Sequence, residues 1–148
     1  MFEFLAPHQA ILIVVIPLLA APICLIFRHS AIAWLIALIA SLVSFAISIN
    51  LLSQVTMVGP ISYLLGSWPA PWGIEYKVDI LSAFVLLFVS GVSSITLIFA
   101  KNSVYFEIYE DRIYLFYTMF LLAFAGLLGI TITGDAFNLF VFLEISSL

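Results

Sequence analysis

A chain of 148 residues in which 66% are hydrophobic, 16% aromatic and only 8% charged is not a soluble globular domain, since soluble folds are about 45–50% apolar and about 25% charged. So much apolar surface calls for lipid as the solvent, and an integral membrane protein is expected. Four Lys and Arg stand against eight Asp and Glu, for a net charge of −4 without any basic cluster, which excludes nucleic-acid binding.

The opening residues Met1, Phe2, Glu3 and Phe4 carry no positive charge, and Ala21-Pro22-Ile23-Cys24 is a poor lipoprotein cleavage pattern. The first apolar run, residues 8–27, is therefore expected to remain as a spanning helix, kinked rather than broken by Pro17 and Pro22. Only Arg28, His29 and Ser30 separate it from the second run, residues 31–52, so the two form an antiparallel hairpin. His8 and His29 lie at opposite ends of the first span, about 30 Å apart and too far to share a metal ion. The single cysteine, Cys24, has no disulfide partner in the chain and reads as a small hydrophobe. Ser41, Ser44 and Ser48 put a narrow polar stripe on the second span, expected to bond back to its own helix or to pack at a helix interface.

Residues 53–79 change character. Gly59-Pro60, a Gly- and Pro-rich stretch around Trp68 and Trp72, and the alternation Ile74-Glu75-Tyr76-Lys77-Val78 predict an outer loop folded as a β-hairpin lying on the bilayer. Tyr63, Trp68, Trp72 and Tyr76 read as anchors at the headgroup level.

The third span, residues 80–100, opens at Asp79, whose carboxylate is placed to cap the amides of Leu81 and Ser82, and closes at Lys101. Residues 102–112 read as an interfacial helical turn. The fourth span, residues 113–133, contains Gly126 and Gly129, which permit close helix approach. A last element starts at Gly134-Asp135, with Asp135 as its cap, and runs through residue 148 without a stop signal. Its fourteen residues cover about 21 Å of roughly 30 Å of hydrocarbon, so it is an incomplete fifth span to be completed or covered by other polypeptide. The fold class expected is all-α, a polytopic transmembrane helix bundle of one membrane domain with four full spans plus an incomplete fifth.

Arg28, Lys101 and Arg112 fall in the first and third loops, and only Lys77 in the second. That bias puts the first and third loops in the cytoplasm and the N-terminus outside.

Glu144 departs from the rules for lipid-exposed sequence. Ten residues past Gly134 it lies about 15 Å deep, near the midplane. A charge there costs about 2.5–3.5 kcal/mol on insertion scales, so the carboxylate faces protein or water, stays protonated or finds a cation, which marks a functional site. At 100° per residue it points opposite Asp135 and about 120° from Asn138, so those two polar groups at the helix mouth are capping or structural. The spans hold no cation to pair with it. The packing alternative is a protonated Glu144 making one interhelical hydrogen bond.

The stretch Tyr76-Lys77-Val78-Asp79-Ile80-Leu81-Ser82-Ala83-Phe84, followed by Gly134-Asp135-Ala136-Phe137-Asn138-Leu139-Phe140-Val141-Phe142-Leu143-Glu144, resembles the N-terminal part of the antiporter-like membrane subunits. These are the D-type subunits of Mrp cation/proton antiporters, their counterparts in membrane-bound hydrogenases, and the proton-pumping subunits of respiratory complex I. The resemblance implies that Glu144 matches the fifth-helix glutamate that pairs with a lysine on a later, broken helix and takes part in proton or sodium/proton transfer. A lysine near such a carboxylate favours its charged form, so relative movement of the two drives proton uptake and release. Family members continue into lysine-bearing and broken helices that this sequence lacks, so it resembles an N-terminal portion or a split form, in a prokaryotic inner membrane. The partners implied are other membrane subunits, including a lysine-bearing antiporter-like segment, with lipid, H+ and Na+.

Three functions follow: part of an ion-translocating subunit in a multisubunit antiporter or redox-driven pump; a structural, non-transporting subunit of the same kind of complex; or a small homo-oligomeric channel lined by Glu144. Copy number separates the first two from the third. No nucleophile–base pair, phosphate-binding glycine loop or Cys/His cluster occurs, so no chemistry of its own, no cofactor and no metal is expected.

Overall fold

The computed structural model describes residues 8–64, 75–133 and 136–147. Helix α1 is Gln9–Phe27 and α2 is Ser30–Val58. Strands β1, Ile61–Leu64, and β2, Glu75–Val78, precede α3, Ile80–Glu107. A 3-10 turn at Glu110–Arg112 leads into α4, Ile113–Ile132, and α5 is Ala136–Ser147. Among the described residues, four segments are long and apolar enough to cross a membrane: α1, α2, α3 and α4 with its leading 3-10 turn. Their outer faces carry exposed large apolar side chains such as Ile26, Ile39 and Phe88, the surface lipid covers.

α1 runs unbroken through Pro17 and Pro22. It stops at Arg28, whose backbone is left-handed (φ 47°, ψ 32°) and whose amide donates to the Cys24 carbonyl at 3.2 Å. This conformation is unfavourable for a residue with a Cβ, but it reverses the chain with only Arg28 and His29 between helices. The small side chains of Ala21, Cys24, Ala33 and Ala37 are buried around this reversal, and the Cys24 thiol contacts the Ala33 carbonyl at 3.8 Å.

Both central helices are longer than the apolar runs that encode them. α2 has 29 residues and reaches about 43 Å at 1.5 Å per residue, past a hydrocarbon layer of about 30 Å. Residues 53–58, read from sequence as loop, continue the helix because nothing breaks it before Gly59 (φ 100°) and Pro60. α3 likewise carries on past Lys101 through Glu107, so residues 102–107 extend the third span instead of forming a separate interfacial turn. A lysine ends an apolar run without ending a helix.

α2 lies along α3, α1 against α4 and α2, and α5 against α4. The serine stripe forms the α2–α3 seam. Ser41 and Ser94 hydroxyl oxygens are 2.8 Å apart and those of Ser48 and Ser90 3.0 Å apart, all four buried. Ser94 donates to the Ser90 carbonyl at 2.8 Å, which makes Ser41 the donor across the seam. Ser44 reaches the Ile13 carbonyl of α1 at 3.5 Å.

β1 and β2 pair antiparallel, Tyr63 opposite Tyr76 and Ser62 opposite Lys77. This hairpin packs onto the end of the bundle. Tyr76 is 6% exposed and Val78 fully buried, in one core cluster with Leu86, Phe124, Leu128 and Ile132, and Tyr76 bridges to Thr133 at the end of α4. Tyr76 is therefore a core residue, contrary to the headgroup anchor expected from its amphipathic side chain. The period-2 alternation turns Tyr76 and Val78 inward and Lys77 outward. Trp68 and Trp72 lie outside the described residues, as does the Tyr63 side chain.

Candidate functional site

The candidate site is built where α5 turns back against α4. Two glycines on α4 remove the side chains that would hold the helices apart. A Cβ added at Gly126 would stand 2.7 Å from the Ser146 Cβ and 2.8 Å from its amide nitrogen, and one at Gly129 would overlap the Phe142 ring. Phe142 is buried there and also meets Tyr76 of the hairpin, ring centroids 6.3 Å apart. α5 is thus held on one face by α4 and capped by β2.

That contact sets the direction of Glu144. Two residues beyond Phe142 a helical side chain has turned about 200°, placing it almost opposite the packed face. Glu144 is exposed, flanked by exposed Phe140, Val141 and Leu143. Its carboxylate makes no ion pair among the described residues. Phe142 and Ser146 bracket Glu144 and abut Gly129 and Gly126, so Glu144 stands level with the second half of α4. This level is about 7–8 Å from the middle of α4, toward the hairpin, at 1.5 Å per residue. The packing register therefore puts Glu144 within the apolar span but nearer the hairpin than a residue count from Gly134 suggests.

Asp79 belongs to a different part of the molecule. Its side chain accepts the Ser82 amide at 2.7 Å and caps α3. The Ser82 backbone bond, then its hydroxyl, and more weakly the charge of Lys77, hold the Asp79 carboxyl below its ordinary value of 3.8. Asp135 lies outside the described residues, and Asn138 lies in α5 with its side chain outside the described set. Neither Asp79 nor any other described acid joins Glu144, and among the described residues no three His, Cys, Asp or Glu side chains gather closely enough to hold a metal.

Sequence reasoning passed over Trp34, which hydropathy scores merely as part of the second span. Its indole N–H donates to the Leu97 carbonyl of α3 at 2.8 Å, and the Lys101 ammonium lies 4.6 Å from its ring centroid. An indole close to the polar end of a span was the available signal.

No family model matches the sequence. The chain is 38% identical over 147 residues to "NADH-quinone oxidoreductase subunit N" of Desulforudis audaxviator (strain MP104C), covering 95% of this chain and 28% of that protein. It is 34% identical over 144 residues to the D-type subunit of a probable K(+)/H(+) antiporter of Rhizobium meliloti (strain 1021), covering 93% and 26%. Among solved structures it superposes on a chain of the membrane-bound sulfane sulfur reductase, an archaeal respiratory membrane complex, with a TM-score of 0.85 at 30% identity, covering 93% of this chain and 28% of that one. The chain thus spans about a quarter of the length of the relatives it matches.

Proposed function

Since this chain is homologous to the antiporter-like membrane subunits, we propose that it is the N-terminal part, or a split form, of an ion-translocating subunit in which Glu144 takes part in proton or cation/proton transfer. The observation that carries this reading is the side of α5 on which Glu144 stands. Phe142 and Ser146 fill the α4 contact, and the carboxylate is left on a face that the other described residues do not cover, among apolar side chains. A carboxylate within an apolar span needs protein, water or a cation beside it. On this reading a lysine-bearing segment of the same kind of subunit packs against that face. Lysine approach and withdrawal change the proton affinity of Glu144 and so couple conformational movement to proton transfer.

The same placement supports assembly with other membrane subunits, because among the described residues α5 leaves exposed an apolar face with a carboxylate in its midst. The Lys and Arg bias supports an orientation with the N-terminus and hairpin outside a prokaryotic inner membrane. This chain carries no redox chemistry in this reading; it moves ions in response to a partner.

The test is Glu144→Gln in the assembled complex reconstituted into vesicles. The amide keeps the shape and one hydrogen bond while removing titration. Assembly should persist and transport fall by at least about tenfold, toward the roughly 10²–10⁴-fold range of a proton-transfer group. Normal transport by Glu144→Gln would leave the chain a structural subunit, and a ring of identical copies would favour a channel.

A further inference from the structure

At the end of the bundle away from the hairpin, the start of α2, the last turns of α3 and the start of α4 line an open cavity of about 160 Å³, far above the roughly 10–15 Å³ that admits one water. Ser30, Trp34, Lys101, Tyr105 and Tyr117 line it, together with apolar Ile113, and no carboxylate does. We propose that this cavity binds the phosphate of an anionic phospholipid headgroup, with Lys101 as its counter-charge.

Four features converge on an anion. Lys101 lies over the Trp34 ring, which the Trp34–Leu97 hydrogen bond holds in place, and the ammonium has no carboxylate partner among the described residues. Arg28, at the same end, lies over Tyr114 at 5.6 Å and is equally without a carboxylate partner among the described residues. A cation resting on a ring keeps its N–H groups available to an anion. The first turn of α2 lines the cavity at Ser30 and Ala31, and His29 makes no side-chain cap there, so the positive end of a 29-residue helix lies at its edge. Tyr117 is 1% exposed, yet its hydroxyl has no hydrogen-bond partner among the described residues. That hydroxyl opens into the cavity, where its O–H is available to an acceptor.

The level in the bundle identifies the source of the phosphate. The cavity sits where the apolar runs of α2, α3 and α4 meet polar loops, the depth of lipid headgroups. Phe99 on α3 and Leu115 on α4, in adjoining turns, expose apolar side chains that acyl chains can cover. A free phosphate has no use for such a flank. This site is independent of Glu144, and its failure would leave the ion-transfer reading untouched.

The experiment is native mass spectrometry of the delipidated protein in its natural assembly, titrated with phosphatidylglycerol, with phosphatidylcholine, and with inorganic phosphate as competitor. One phosphatidylglycerol should bind about tenfold more tightly than phosphatidylcholine, and Lys101→Gln should abolish that preference while Lys101→Arg keeps it. Tyr117→Phe should weaken phosphatidylglycerol about threefold, the equivalent of one hydrogen bond. Equal affinity for the two lipids, or an undiminished preference in Lys101→Gln, overturns the proposal. So does displacement of the lipid by an equal concentration of inorganic phosphate, which would make the cavity a free-anion site. If Lys101→Gln does not fold, Tyr117→Phe decides the matter: an unchanged phosphatidylglycerol affinity overturns the proposal.

Discussion

The Phe142 ring occupies the space that a side chain at Gly129 would take, and this one contact joins α4, α5 and the hairpin through Tyr76. Because Glu144 follows Phe142 by two residues, the same contact decides which way the carboxylate faces.

Gly129→Ala and Gly126→Ala should both loosen α5 from α4, each destabilising the protein by about 1–3 kcal/mol as overpacked sites do. The two differ in what could relieve them. The Gly129 methyl meets a side-chain ring, so adding Phe142→Leu should recover most of the loss; the Gly126 methyl meets the Ser146 backbone, and Phe142→Leu should not help it. Thermal unfolding of the four variants in detergent reads this directly, and equal rescue of both would show that the contact is misplaced.

The seam between α2 and α3 should be tight but only modestly polar in its energetics. Ser41 gives its proton to Ser94, whereas Ser94 gives its own to the Ser90 carbonyl. A double-mutant cycle of Ser41→Ala with Ser94→Ala should yield a coupling of about 0.6 kcal/mol, with about 1.7 kcal/mol as the ceiling for such membrane bonds. Ser41→Leu should cost more than Ser41→Ala, by about 1–3 kcal/mol, because the buried interface has no room for it.

Asp79→Ala should remove the α3 cap and lower the melting temperature at neutral pH. The folded-state pKa of Asp79 is held below 3.8, so its contribution is complete above that value and fades as pH falls through the folded pKa. The gap in melting temperature between wild type and Asp79→Ala should therefore be constant from about pH 7 to about pH 5 and narrow only in acid below pH 3.8. A gap that closed on raising the pH would contradict the capping geometry.

Lys77 and Lys101 are both exposed, toward opposite ends of α3. In a Cys24→Ser background, which removes the buried native thiol, Lys77→Cys should react with an impermeant reagent from outside intact cells. Lys101→Cys should react only after permeabilisation. The reverse pattern would invert the orientation inferred from the loop charges.

Much of this architecture is a matter of local composition. Apolar runs long enough to cross a bilayer, interrupted at Arg28-His29, from Ser53 to Asp79 and from Lys101 to Arg112, specify four spans and a hairpin, because the cost of leaving backbone or charge in lipid is borne residue by residue. Glu144 stands out for the same reason. Composition does not show how far each helix runs beyond the hydrocarbon, since α2 and α3 end only where Gly59 or a change of backbone at Ile108 stops them. It also misreads Tyr76, because an amphipathic ring suits a headgroup layer and a core equally until the hairpin is seen folded onto α4 and α5. The face on which Glu144 stands, and the meeting of Trp34 with Leu97 and Lys101 more than sixty residues away, belong to tertiary structure alone: they depend on which helices touch and at what register, and packing between distant segments leaves no trace in the hydropathy of either.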